Sequence, residues 1–170
     1  MKKFFYLLLA SALPFTFTSC ADDDDDDSKK GTEVVQPQIS IQSNGHEIKD
    51  GDVITYVAEE DELFGDIVAG HASEPSFIPT APCNMEVTIH LPQSDIKNLQ
   101  WCGITHECIV YEKAGSYTRS IENMGSKESM EMHAYFNKGN FTECKVKVDV
   151  KINGKEERSF FINYVYSDKK

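Results

Sequence analysis

The nine residues Cys144-Lys145-Val146-Lys147-Val148-Asp149-Val150-Lys151-Ile152 alternate strictly between an apolar and a charged side chain. Side chains on a strand point to opposite faces at every step, so this period of two gives a strand with one face in a core and the other in water. Asn153-Gly154 follows at once, a pair suited to the positive φ angles of a tight hairpin, and a second β pattern from Arg158 to Tyr166 brings the chain back. A two-residue turn sets Asp149 opposite Arg158 and Lys151 opposite Glu156, which favours charge pairing. A bulged three-residue loop sets Val146 opposite Ile162 and Val148 opposite Phe160, which favours burial. Burying each such side chain contributes about 1.5 to 3 kcal/mol against a few tenths for an exposed ion pair, so the bulged register is expected.

Upstream, further short β patterns are separated by turn chemistry. They are Gln38 to Gln42, the Asn44-Gly45 turn, His46 to Ile48, Asp50-Gly51 and Val53 to Ala58. Glu59 to Pro82 is less regular, with Pro75, Pro79 and Pro82, although Leu63 to Val68 can hold a strand. Met85 to Leu91, Leu99 to Cys102, Cys108 to Glu112 and Ser129 to Phe136 complete the set. None has a 3.6-residue period over a helical length. The expected fold is all-β: a single immunoglobulin-like antiparallel β-sandwich over residues 37–168. About 140 residues are available to it, enough for one core.

Apart from Cys20 the chain has four cysteines, Cys83, Cys102, Cys108 and Cys144. An even number in an exported chain points to two disulfides, since such compartments do not keep thiols reduced. The expected pairs are Cys102 with Cys108, closing a short loop, and Cys83 with Cys144, each at the start of a predicted strand. By chain entropy the first contributes about 2.4 kcal/mol and the second about 4.3 kcal/mol.

The export assignment comes from the other end of the chain. Lys2 and Lys3 precede a 14-residue apolar stretch from Phe4 to Phe17, and small Thr18 and Ser19 lead into Cys20. This is the layout of a secretory leader, and the run is shorter than the roughly 20 residues that cross a bilayer. Six aspartates, Asp22 to Asp27, follow. Mutual repulsion keeps such a run extended and solvated.

Phe17-Thr18-Ser19-Cys20 resembles a bacterial lipobox, with phenylalanine where leucine is usual. Cys-Ala followed by the aspartate run is similar to the acidic export signal of surface lipoproteins of the Bacteroidota. The resemblance implies a signal peptide over 1–19, acylation of Cys20, and an acidic tether over 20–36. It further implies an outer-membrane location facing the cell exterior, with palmitate-type chains holding the protein to the membrane. Two or more such chains anchor permanently, at about 0.8 kcal/mol per buried methylene.

Removing the leader leaves 15 basic against 28 acidic residues, a formal charge of −13. That balance disfavours nucleic acid, which needs clustered Lys and Arg. Trp101-Cys102-Gly103-Ile104-Thr105-His106-Glu107-Cys108 is the most distinctive stretch, gathering the single tryptophan, two cysteines and a histidine. Cys102, His106 and Cys108 as metal ligands match no common zinc spacing, so a disulfide is the expected state. Aromatic anchors dominate interfaces, which makes Trp101, Ile104 and His106 the candidate binding surface, with core filling the competing role for Trp101.

Met130 and Met132 share a strand face with Ala134 and Phe136, a core stripe rather than a copper site. The acidic stretch Asp50, Asp52, Glu59, Glu60, Asp61, Glu62 and Asp66 lacks a calcium-loop pattern. His46, His71, His90, His106 and His133 are scattered and no nucleophile motif is present; paired carboxylates such as Glu131 and Glu143 could be assembled in space for acid/base work, as in almost any acidic β domain. No catalytic residue, metal or cofactor is assigned. The expected function is a lipid-anchored, non-catalytic surface module that binds a protein or glycan. The alternatives are a small-ligand or glycan-binding lipoprotein and, more remotely, a carboxylate-dependent hydrolase.

Overall fold

A computed structural model describes residues 38–93, 96–139 and 141–166, in which thirteen strands and no helix are found. The expected signal peptide, Cys20 and the aspartate run lie outside the described residues. One sheet has the order β10-β7-β12-β13-β3, built from β3 (Val53–Val57), β7 (Cys83–Leu91), β10 (Gly115–Met124), β12 (Glu143–Ile152) and β13 (Lys155–Val165). The second has eight strands: β1 (Ile39–Ser43), β2 (His46–Glu47), β4 (Glu59–Glu60), β5 (Ile67–Ala72), β6 (Ser76–Pro79), β8 (Ile96–Gly103), β9 (Ile109–Tyr111) and β11 (Glu128–Asn137). Its central strand β11 pairs with β8 on one side and with β5 and β6 on the other. The two sheets make an all-β, immunoglobulin-like sandwich. Among the described pairs, β3 with β13 alone is parallel.

The core is the sum of the alternating faces. From the first sheet come Met85, Val87 and Ile89 of β7, Val146, Val148 and Val150 of β12, and Phe160, Ile162 and Tyr164 of β13. From the second come Met130, Met132, Ala134 and Phe136 of β11, with Leu99, Trp101, Phe77 and Ile41. The methionine stripe is therefore packing. Tyr164 crosses the core, its hydroxyl donating to the Met132 carbonyl at 3.0 Å. Gly70 makes room for that ring, because a Cβ there would collide with Tyr164 Cδ1.

The hairpin has the expected register in the core but not the expected three-residue loop, since the turn itself is the two-residue alternative. A two-residue turn at Asn153-Gly154 sets Ile152 opposite Lys155 and Lys151 opposite Glu156. The register then shifts by one residue, and from Val150 opposite Arg158 onwards Val148 faces Phe160 and Val146 faces Ile162. A bulge thus lets the favoured turn and the favoured core coexist.

The Cys83–Cys144 disulfide is not formed: both residues are buried thiols. β7 and β12 are neighbours, as expected, but antiparallel, with Met85 opposite Ile152. Cys83 therefore lies level with Gly154, some ten positions from Cys144, roughly 33 Å along the ladder where a disulfide needs about 7 Å or less. Two strand starts in an antiparallel pair are at opposite ends. Burial pushes the Cys83 thiol pKa up, which leaves it unreactive.

Candidate functional site

Cys102 and Cys108 are joined, and the loop between them turns in an unusual sense. Gly103, Ile104, Thr105 and His106 have φ of +74°, +45°, +86° and +66°. Left-handed backbone costs non-glycine residues about 1–2 kcal/mol each, so something must hold the turn. Gly103 is required doubly, since a Cβ there would also strike the Ser129 carbonyl.

Arg119 of β10 is what holds it. Its side chain is buried at 6% exposure and its Nη1 donates to the carbonyls of Gly103 at 2.6 Å and Glu107 at 2.7 Å, with Ile104 at 3.4 Å. Nη2 donates to the Trp101 carbonyl at 2.6 Å, and the guanidinium lies 4.6 Å from the Trp101 ring centroid. The left-handed turn points its carbonyls inward, making a cage whose occupant is the chain's own cation. Buried charge is tolerated where dipoles and a π face replace water. Trp101 Nε1 and Arg119 Nε have no hydrogen-bond partner among the described residues, a cost that burial of the large indole offsets.

This corrects the expected binding surface. Trp101 and Ile104 are fully buried, and of the three expected residues His106 alone is exposed. The loop directs its apolar side chains into the sandwich because the cage fixes its carbonyls on Arg119.

Exposed apolar surface is found elsewhere. Between β4 and β5 a tight turn presents Leu63 at 86% and Phe64 at 61% exposure. Asp61 Oδ1 accepts from the backbone N–H of Leu63 at 2.9 Å and of Phe64 at 3.1 Å, and Phe64 O accepts from Ile67 N at 2.8 Å. Glu60 pairs with Lys138 at 2.7 Å and accepts from the Tyr166 hydroxyl at 3.1 Å. The turn is thus a built feature that leaves two large hydrophobes in water. Beside it lie two adjoining grooves of about 280 and 340 Å³ that share Asp61 and Tyr135. The first includes Lys97 and Asn98, the second Glu59, His71 and His133.

His71 of β5 and His133 of β11 are direct cross-strand partners. His71 Nε2 and His133 Nδ1 are in hydrogen-bond contact, the rings edge to face at 3.5 Å between centroids. His133 Nε2 lies 3.9 Å from Glu131. Burial and the neighbouring His71 lower the His133 pKa, with Glu131 opposing them.

A third polar set lies on the outer face of the other sheet. His90 Nδ1 is 2.8 Å from Ser116 Oγ and His90 Nε2 is 2.6 Å from Asp149 Oδ2. Burial works against the Asp149 charge, but hydrogen bonds from Lys147, Ser159 and His90 outweigh it and hold its pKa below the usual value. The order Ser–His–Asp suggests nucleophilic catalysis, but the surroundings do not suit it. These residues stand on an open sheet face, with 38% of the His90 side chain exposed. Strand N–H groups lie in the sheet plane while Ser116 Oγ projects out of it, so they do not aim at an oxyanion formed there. Among the described residues, no group of three or more His, Cys, Asp or Glu is arranged to hold a metal. Asp50 and Asp52 cap the backbone N–H of Ser159 and Lys49.

The sheet order and cross-core packing define an immunoglobulin-like β-sandwich with a grooved acidic flank. Among solved structures, the N-terminal domain of PorA superposes with a TM-score of 0.55 at 11% identity, over 78% of this chain and 100% of that one. CfaE, the adhesive subunit of the CFA/I fimbria of enterotoxigenic Escherichia coli, gives 0.43 at 8% identity over 69% of this chain and 46% of its own. ACE19, the collagen-binding subdomain of the Enterococcus faecalis surface protein ACE, gives 0.38 at 3% identity over 67% and 94%. The first is a likeness of fold alone, and the other two fall too low to carry weight. No family model matches the chain, and no curated protein matches it in sequence.

Proposed function

We propose that this chain is a non-catalytic binding module, held by lipid on Cys20 to the outer membrane and displayed to the cell exterior on an acidic tether. Residues 1–19 are then the removed signal peptide and residues 20–36 the tether. The observation that carries the binding role is the Leu63–Phe64 tip. Two large adjacent hydrophobes are held in water by a capped turn, at 86% and 61% exposure. Burying each against a partner contributes about 1.5 to 3 kcal/mol, enough to make the tip an anchor. Glu59, Glu60, Asp61, Glu62 and Asp66 surround it in the sequence, which suits a protein partner with an apolar pocket and a basic rim.

Immobilised wild-type protein and the Leu63→Ser/Phe64→Ser variant, offered the same mixture of envelope and host extracellular proteins, test this directly. A partner retained by the wild type and lost by the variant supports the reading. Identical retention by both defeats it. Separately, Cys20→Ser should move the protein from the envelope fraction to the soluble one, and persistence in the envelope would remove the anchor. The glycan-binding alternative loses its natural platform, because the single tryptophan is buried under Arg119.

A further inference from the structure

We propose that His71 and His133 are the two protein ligands of an open site for a divalent first-row transition cation, bound most tightly as Cu²⁺. The two residues face one another on adjacent strands, with Nε2 of one and Nδ1 of the other directed into the same space. Only one proton fits between two such nitrogens. A cation of this class, which binds imidazole nitrogen at about 2.0–2.1 Å, replaces that proton after a small rotation of two partly exposed rings.

Glu131 supplies the support that such ligands ordinarily have. It stands two residues before His133 on the same strand face, 3.9 Å from Nε2, the ring nitrogen turned away from His71. A carboxylate there favours the tautomer with its proton on Nε2 and leaves the Nδ1 lone pair for metal. The pair opens on a groove of about 340 Å³, so the remaining coordination positions are open to water. With nitrogen ligands the order Cu²⁺ above Ni²⁺ and Zn²⁺ is expected, and Mg²⁺, which prefers oxygen cages, is excluded.

The test is calorimetric titration of the full-length protein with CuCl₂, ZnCl₂ and MgCl₂ at about pH 7.5, beside His71→Gln, His133→Gln and Glu131→Gln. The aspartate run and the other histidines are present in every variant, so their contribution cancels. One Cu²⁺ per chain is expected at the pair, weakened more than about 100-fold by either histidine substitution and about 10-fold by Glu131→Gln. A second measurement uses unaltered protein: substoichiometric Cu²⁺ should broaden the imidazole NMR signals of His71 and His133 before those of His46, His90 and His106. Retention of wild-type affinity in both histidine variants, or first broadening at another histidine, overturns the proposal.

Discussion

The loop from Cys102 to Cys108 and the turn from Asp61 to Asp66 are of similar length, yet they spend their residues in opposite ways. The first is tied by a disulfide, four carbonyl contacts to Arg119 and a buried indole, and it presents little but polar side chains to water. The second is held by one capping carboxylate and short backbone bonds, and it leaves two adjacent large hydrophobes, Leu63 and Phe64, exposed. Chemically rare residues here mark where the fold is difficult to close. Ordinary residues left in the wrong solvent mark the contact point proposed above.

Breaking the first loop should have the largest effect. Arg119→Met leaves the caged carbonyls without a donor, and a loss of about 3–5 kcal/mol in urea unfolding is expected. Arg119→Lys should recover little, because a single ammonium cannot span the carbonyls that the guanidinium fork reaches. Stability within 1 kcal/mol of wild type in Arg119→Met would show the cage to be incidental. Cys102→Ser with Cys108→Ser should cost less, about 2 kcal/mol by chain entropy, read as a lowered thermal midpoint.

Acid should act on neither loop but on the strands between them. The folded-state pKa of His133 lies below its ordinary value, so its contribution is present above about pH 6.5 and is lost as pH falls through the lowered folded value. Amide exchange in β5 and β11 should accelerate across that window more in wild type than in His133→Gln. Equal acceleration in both would remove His133 as the cause. Asp149 acts the same way lower down, its contribution being lost below about pH 4 as the carboxylate is protonated.

The smallest effect on folding is expected at the tip. Leu63→Ser with Phe64→Ser should change unfolding stability by no more than about 0.5 kcal/mol while abolishing partner retention. A substantial destabilisation would mean that the tip belongs to the core after all.

What the sequence revealed follows from how cleanly each strand alternates. β7, β11, β12 and β13 carry an apolar residue at nearly every inward position, and their pattern is sufficient to find them. β10 was missed because its inward series runs Tyr117, Arg119, Ile121, with a charge at the most buried of the three. The cage was invisible for the same reason, although an arginine in phase with two apolar residues was a usable signal. The strand expected from Leu63 to Val68 is displaced to Ile67–Ala72, since Gly70 and Ala72 face Tyr164 and the core with almost no side chain to announce it. The histidine pair could not be read either. His71 and His133 are 62 positions apart, and only the register of β5 with β11 joins them.

Arg119 and Tyr164 both reach from one layer of the sandwich to the other, and both end on main-chain oxygens. A main-chain oxygen is present whatever residue carries it, so the receiving strands can change their side chains under mutation without breaking either tie. The donors have no such latitude. Saturation mutagenesis read by surface display should therefore find these two positions nearly invariant while the acidic groove diversifies, a division of labour that would let one scaffold exchange partners over generations without relearning how to fold.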